Sequence, residues 1–165
     1  MLKPLYLLGK VVSNHVFNDL KPRINFLKKN KITPALGVIL IGDNPASKIY
    51  VGSKTKVFNN LGLHSKTFNF SIKIKEDEIL KIIDKINKDS LFHGILVQLP
   101  LPKHIESKKI INSINPNKDV DGFHPTNFGR MALNLPSFVP ATPFGIIEMI
   151  KRFNIVTSGK KCLVL

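Results

Sequence analysis

The chain reads as an α/β protein of three layers, a mostly parallel sheet flanked by helices. Two short, continuously apolar and β-branched runs, Ala35–Ile41 and residues 94–99, look like buried strands. Amphipathic helical segments separate them, and strands separated by helices pair in parallel through crossovers, with ligand sites expected at their carboxyl ends. A length of 165 residues with 43% hydrophobic content suits one domain, or one domain with part of another.

The elements follow in order. Over residues 10–29, Val12, Val16, Leu20, Ile24 and Leu27 recur at helical spacing, which predicts an amphipathic helix that Pro22 should kink or divide. The run Ala35–Ile41 ends at Gly42-Asp43-Asn44. Asn44 and Pro45 then read as an N-cap and first-turn proline, opening a helix over 45–61 that Gly62 closes. Residues 65–70 alternate as a strand, and Glu76–Lys88 forms a third helix with Ile79, Ile82, Ile83 and Ile86 on its inner face. The strand over 94–99 stops at Pro100-Leu101-Pro102. A helix over 143–153 leads to a final apolar strand over 161–165. An apolar strand at a terminus exposes unpaired backbone, so the sequence is expected to be interrupted rather than finished.

A net charge of +14 invites a nucleic-acid reading, but the distribution speaks against it. Lysines run from Lys3 to Lys161, arginine stands only at positions 23, 130 and 152, and no basic block is interleaved with aromatics. No nucleic-acid partner is expected. The single cysteine, Cys162, excludes an internal disulfide and a multi-cysteine zinc site, and favours a cytoplasmic location. The apolar run Leu5 to Leu8 is too short for a signal peptide or a span, so no membrane association is expected.

Three segments carry candidate chemistry. In the second helix Tyr50 and Lys54 stand one turn apart on a face shared with Ser47, Ser53 and Val57. An amine beside aromatic and apolar side chains is a candidate base or proton relay; the plain alternative is a surface lysine snorkelling over a tyrosine. Gln98 is the one amide at the end of an apolar strand, and must either bond the loop backbone or reach a cleft. In residues 116–125, Asp119 and Asp121 hint at calcium, but Gly122 is misplaced and no glutamate completes an EF-hand loop. A carboxylate there could instead accept two N–H bonds from a nitrogen heterocycle, or bond its own turn. His124 has no second histidine at ligand spacing and reads as structural, so no metal is expected. No G-x-G-x-x-G or Walker sequence occurs.

Four segments together resemble one family. Tyr50-x-x-x-Lys54, Gly94-Ile-Leu-Val-Gln-Leu-Pro-Leu-Pro102, Lys118-Asp-Val-Asp-Gly-Phe-His-Pro125 and Pro140-Ala-Thr-Pro-Phe-Gly145 stand in the order and spacing of the bifunctional methylenetetrahydrofolate dehydrogenase/methenyltetrahydrofolate cyclohydrolases. The resemblance covers essentially the whole chain. It implies that Lys54 assists proton transfer as water attacks the methenyl carbon, that Gln98 holds and tunes this lysine, and that Asp121 bonds and orients the pterin. It also implies that Tyr50 stacks on the folate, and that Ser47 and the strand end Val97, Gln98, Leu99 and Pro100 line the substrate pocket.

Two departures are local: Leu8 precedes Gly9-Lys10 where the family usually has aspartate, and Ala141 stands where it often has cysteine. A third bears on function. The family's NADP phosphate loop follows the strand that begins near Lys161, whereas this sequence ends at Leu165. The resemblance therefore implies a folate-binding catalytic domain over 1–140, then a linking helix and the first strand of an incomplete Rossmann-like domain over 141–165. It implies tetrahydrofolate derivatives as substrates, NADP and a homodimer in intact members, and no NADP bound by this chain. The alternatives are a folate-binding remnant without turnover and, on charge alone, a basic nucleic-acid-binding protein.

Overall fold

The computed structural model describes residues 5–163. Helix α1 (Gly9–Lys29) buries Val12 and Ile24 and runs unbroken through Pro22, which corrects the expected kink or break. Pro22 and Asn18, whose carbonyl loses its helical N–H, both lie on the solvent side, where water can satisfy that carbonyl. Strand β1 (Ala35–Ile41) then enters the interior, and α2 (Pro45–Asn60) follows, capped by Asn44 Oδ1 accepting from Ser47 N at 3.1 Å.

Strand β2 (His64–Phe70), α3 (Glu76–Lys88) and β3 (Gly94–Val97) complete the core unit. Helix α3 carries three acidic residues in its first turn and Lys85 and Lys88 in its last, as the helix dipole favours. All three strands are parallel, in the order β2-β1-β3, with Val38 beside both Thr67 and Leu96. β3 is shorter than its apolar run, although Gln98 N still donates to Ile39 O at 2.9 Å.

The side-chain alternation of the strands divides the interior in two. Leu36, Val38, Leu40 and Leu96 meet Val51 of α2 on one face. Ile39, Ile41, Ile95 and Val97 meet Ile79, Ile83 and Ile86 of α3 on the other, together with Ile110 of the short helix α4 (Ser107–Ser113). The chain thus leaves β1 toward one face and β3 toward the opposite face. Their carboxyl ends diverge and leave a crevice, the usual place for a ligand in such sheets.

Two helices lack an early sequence signal, α4 and α5 (Pro125–Ala132). Helix α6 (Ala141–Arg152) packs on α1, where Arg152 Nη2 donates to Asp19 Oδ2 at 2.7 Å. It starts two residues earlier than residues 143–153 predict, since Pro143 fits within a first turn. Lys161, Cys162 and Leu163 form no strand, having no neighbouring strand among the described residues to pair with; Val164 and Leu165 lie outside the described residues. No described helix is long and apolar enough to cross a membrane.

Candidate active site

Helix α2 presents Ser47, Val51, Lys54 and Phe58 at intervals of three and four, a stripe turned toward the sheet. Ser47 is buried in the first turn, and Lys54 is half-buried further along. Tyr50 leans off this stripe and is 64% exposed, so its ring faces solvent rather than packing in the core.

Residues 115–124 run beside β3. Ile95 N donates to Lys118 O at 2.7 Å, and Ile95 and Asp119 form a parallel bridge that extends the sheet edge. The approach is close because Gly94 has no side chain: a Cβ there would come within 2.5 Å of Val120 Cγ1. This passage brings Asp121 to the α2 face of the sheet. Lys54 and Asp121 therefore line one cavity of about 390 Å³, with Leu36, Ser53, Val57, Phe58, Leu96 and Val120 as its other walls.

Apolar walls around a lysine and an acid set the electrostatics. Burial pushes the Asp121 carboxyl above its ordinary value; the Lys54 charge opposes that shift and the Asp119 charge adds to it. A ligand that offered N–H donors to Asp121 would favour its charged form and displace the proton. Asp119 is fully buried, and its Oδ2 accepts from His124 N and from Asn127 Nδ2, each at 2.9 Å. His124 caps α5, its Nδ1 accepting from Thr126 N at 3.1 Å.

Gln98, Leu99 and Pro100 stand at the diverging end of β3, with a cis peptide between Leu99 and Pro100. Gln98 Nε2 donates to Leu99 O at 2.7 Å, while Gln98 Oε1 is buried without a partner. A buried acceptor left open costs about 1–3 kcal/mol, so this position calls for a donor such as an ammonium or a ligand amine. The contacts of the described residues include no bond from Lys54 to Gln98. Val97 sits in the core beneath α3, so only its backbone can face a ligand.

The structure thus gathers Lys54 with Asp121 in one cavity and leaves Gln98 with an open acceptor. Tyr50 is exposed on α2 outside the cavity lining, Ser47 is buried in the first turn of α2, and Val97 turns away. Asp119 and Asn127, which hold the Asp121 loop, carry no sequence signal beyond the Asp-x-Asp spacing. A larger cavity of about 630 Å³ lies at the opposite, amino edge of the sheet, between Ala35, His64 and His93, and contains none of these residues.

A family model described as "Tetrahydrofolate dehydrogenase/cyclohydrolase, catalytic domain" matches residues 7–121, a span that includes Lys54, Gln98 and Asp121. The bifunctional protein FolD of Bacillus subtilis is 48% identical over 157 residues, covering 95% of this chain and 56% of its own length. The crystal structure of the bifunctional FolD enzyme of Campylobacter jejuni superposes with a TM-score of 0.90 at 44% identity, over 93% of this chain and 55% of that one. The Trypanosoma brucei FolD, solved with NADP cofactor and an inhibitor, gives a TM-score of 0.91 at 25% identity, over 97% and 55% of the two chains. The chain spans about half the length of the curated relatives it matches. With the family's match running through all three described strands and solved members superposing over more than nine-tenths of its length, this chain belongs to the tetrahydrofolate dehydrogenase/cyclohydrolase family and carries its catalytic-domain fold.

Proposed function

We propose that this chain is the folate-binding, catalytic part of a methylenetetrahydrofolate dehydrogenase/methenyltetrahydrofolate cyclohydrolase, acting on tetrahydrofolate derivatives. The observation that carries the reading is that Lys54 and Asp121 line one apolar-walled cavity. Residues 1–140 form the folate domain, and α6 begins the connecting segment over 141–165.

The chemistry follows from the two groups. The pterin ring offers paired N–H donors, and an ionised Asp121 accepts them and fixes the ring. The methenyl bridge is cationic: a water adds to its carbon and loses a proton, and the carbinolamine so formed breaks its C–N5 bond, the hydroxyl proton passing to N5, to leave the formyl product. Lys54 supplies an amine within the same cavity to relay that proton. Gln98 holds an open acceptor that can receive an N–H from the lysine or from the ligand. Tyr50 covers the ring.

Among the described residues, the β1–α2 turn does not fit a dinucleotide. The β1–α2 turn has one glycine, Gly42, and the Ser47 N–H of the helix start is taken by Asn44. Asp43 sets a carboxylate at that turn, paired with Lys48 at 2.6 Å, where a pyrophosphate needs donors.

The test follows the absorbance loss of 5,10-methenyltetrahydrofolate with the purified chain, its Lys54→Met variant and buffer alone. The expected result is a rate above spontaneous hydrolysis that disappears in the folded Lys54→Met variant. Equal rates in both folded proteins would remove Lys54 from the reaction; no excess rate from the wild-type chain would mean that these residues do not assemble the hydrolytic site alone.

A further inference from the structure

Asp119 does not line the Lys54–Asp121 cavity; it is 1% exposed, and its carboxylate is bonded to Asn127 of α5 and to the His124 N–H at the end of its own loop. Burying an acid is costly unless its oxygens are engaged, and a hydrophobic side chain of the same size would fill the volume at less cost. The bonds it makes straddle Asp121. Before it, the Asp119 backbone bridges to Ile95 of β3. After it, Gly122 N donates to Asp119 O at 3.3 Å and His124 N donates to Asp119 Oδ2. Asn127 adds a lateral tie, since its Nδ2 also donates to Pro116 O at 2.9 Å, joining the two ends of the loop. Upstream, Lys118 Nζ donates to Ile86 O and Asp89 O at the end of α3, anchoring the loop to the core.

We propose that Asp119 is a positioning residue: its buried carboxylate, clamped by the His124 N–H and the Asn127 amide, fixes the loop that presents Asp121 to Lys54 and to the pterin. The assignment deepens the folate reading and rests on it. A loop carrying a polar recognition group needs such a frame, because misplacement of the group by an ångström is enough to lose binding or rate. The charged groups facing Asp121 are Lys54 from α2 and Asp119 from its own loop, while β1 and β3 present only Leu36 and Leu96. Asp119 therefore acts on Asp121 in two separable ways, through the backbone it tethers and through its charge.

Two variants separate these effects. Asp119→Asn keeps an oxygen for both donors and removes the charge; Asn127→Ala keeps the charge and cuts the lateral tie. Circular dichroism checks that each is folded, and either variant carries the test if the other does not fold. The first readout is the carbon-13 NMR titration of the Asp121 carboxyl in the ligand-free chain, which does not depend on folate. The second is tetrahydrofolate affinity as a function of pH. In Asp119→Asn the Asp121 midpoint moves to lower pH, and the pH profile of affinity moves with it. In Asn127→Ala affinity falls about tenfold or more across the pH range. Folded variants that titrate and bind like the wild type overturn the positioning role alone. A wild-type chain that does not bind tetrahydrofolate overturns the folate reading and the assignment together, even where the NMR coupling is present.

Discussion

Replacing Gly122 by alanine should destabilise the loop that carries Asp121, by an amount that the local geometry sets. Gly122 has φ +68°, and a Cβ built there would lie 2.8 Å from Phe138 O and Val139 C and 2.9 Å from Pro140 N. The left-handed conformation costs an L-residue about 1–2 kcal/mol. The three neighbours are backbone atoms, which cannot swing aside as a side-chain tip would, and overpacking of this kind costs about 1–3 kcal/mol. Alanine also restricts the unfolded chain, which returns about 0.4–1 kcal/mol. The net expectation is about 1–4.6 kcal/mol, which for a domain of this size lowers Tm by roughly 2–18 °C. The control is Gly52→Ala, the same chemical change in the exposed middle of α2, where no atom lies within 4 Å of the new Cβ. It should stabilise by about 0.5–1 kcal/mol. Thermal unfolding followed by circular dichroism reads both. If Gly122→Ala unfolds within about 1 °C of the wild type, or if the two variants shift in the same direction, the geometric reasoning is refuted.

Further predictions concern the core, the cavity acid and a helix cap. Ile83 is fully buried under β1 and β3, so Ile83→Ala should cost about 2–5 kcal/mol in urea unfolding. A cost below about 1 kcal/mol would mean that the α3 face is not the packed core described here. Asp121 makes a pH prediction of definite sign. Its folded carboxyl holds the proton more tightly than the ordinary value of 3.8, so the folded state loses stability as pH rises through the interval above that value. Asp121→Asn should therefore melt above the wild type at neutral pH, with the gap closing in acid below 3.8; a gap that widens in acid would reverse the assignment of burial as the dominant cause. Asn44→Ala removes the acceptor for Ser47 N and should cost about 1 kcal/mol in the same unfolding assay.

The core unit was legible in the sequence because its elements carry strong and different periodicities. The unbroken apolar run of β1 and the Asn44-Pro45 start of α2 coincide with the observed boundaries. Helix α4 escaped because a seven-residue helix with one fully buried side chain has too few turns to show a period. Helix α5 escaped because its cap is His124, outside the usual capping residues, so that His124-Pro125 reads as a turn. Pro22 misled because proline breaks helices in general, while here its lost bond faces water. At the site, the helical spacing of Tyr50 and Lys54 indicated a shared face but could not say which of them turns inward. Packing decides that: Lys54 follows the buried stripe through Ser47 and Val51, and Tyr50 does not. The meeting of Lys54 with Asp121 depends on the passage of residues 119–121 along β3, a contact between distant segments that no local pattern encodes.

The most direct measurement titrates tetrahydrofolate into the chain by isothermal calorimetry, with Lys54→Met, Asp121→Ala and Gly52→Ala in parallel. Saturable one-to-one binding is expected for the wild type and Gly52→Ala, and a loss of at least about tenfold for Asp121→Ala, since a charge-assisted pair of hydrogen bonds contributes about 1.5–3 kcal/mol. Lys54→Met should weaken binding less than Asp121→Ala while abolishing hydrolysis. Absence of saturable binding by the wild type, or binding undiminished in a folded Asp121→Ala, would contradict the claim that this cavity is the folate site.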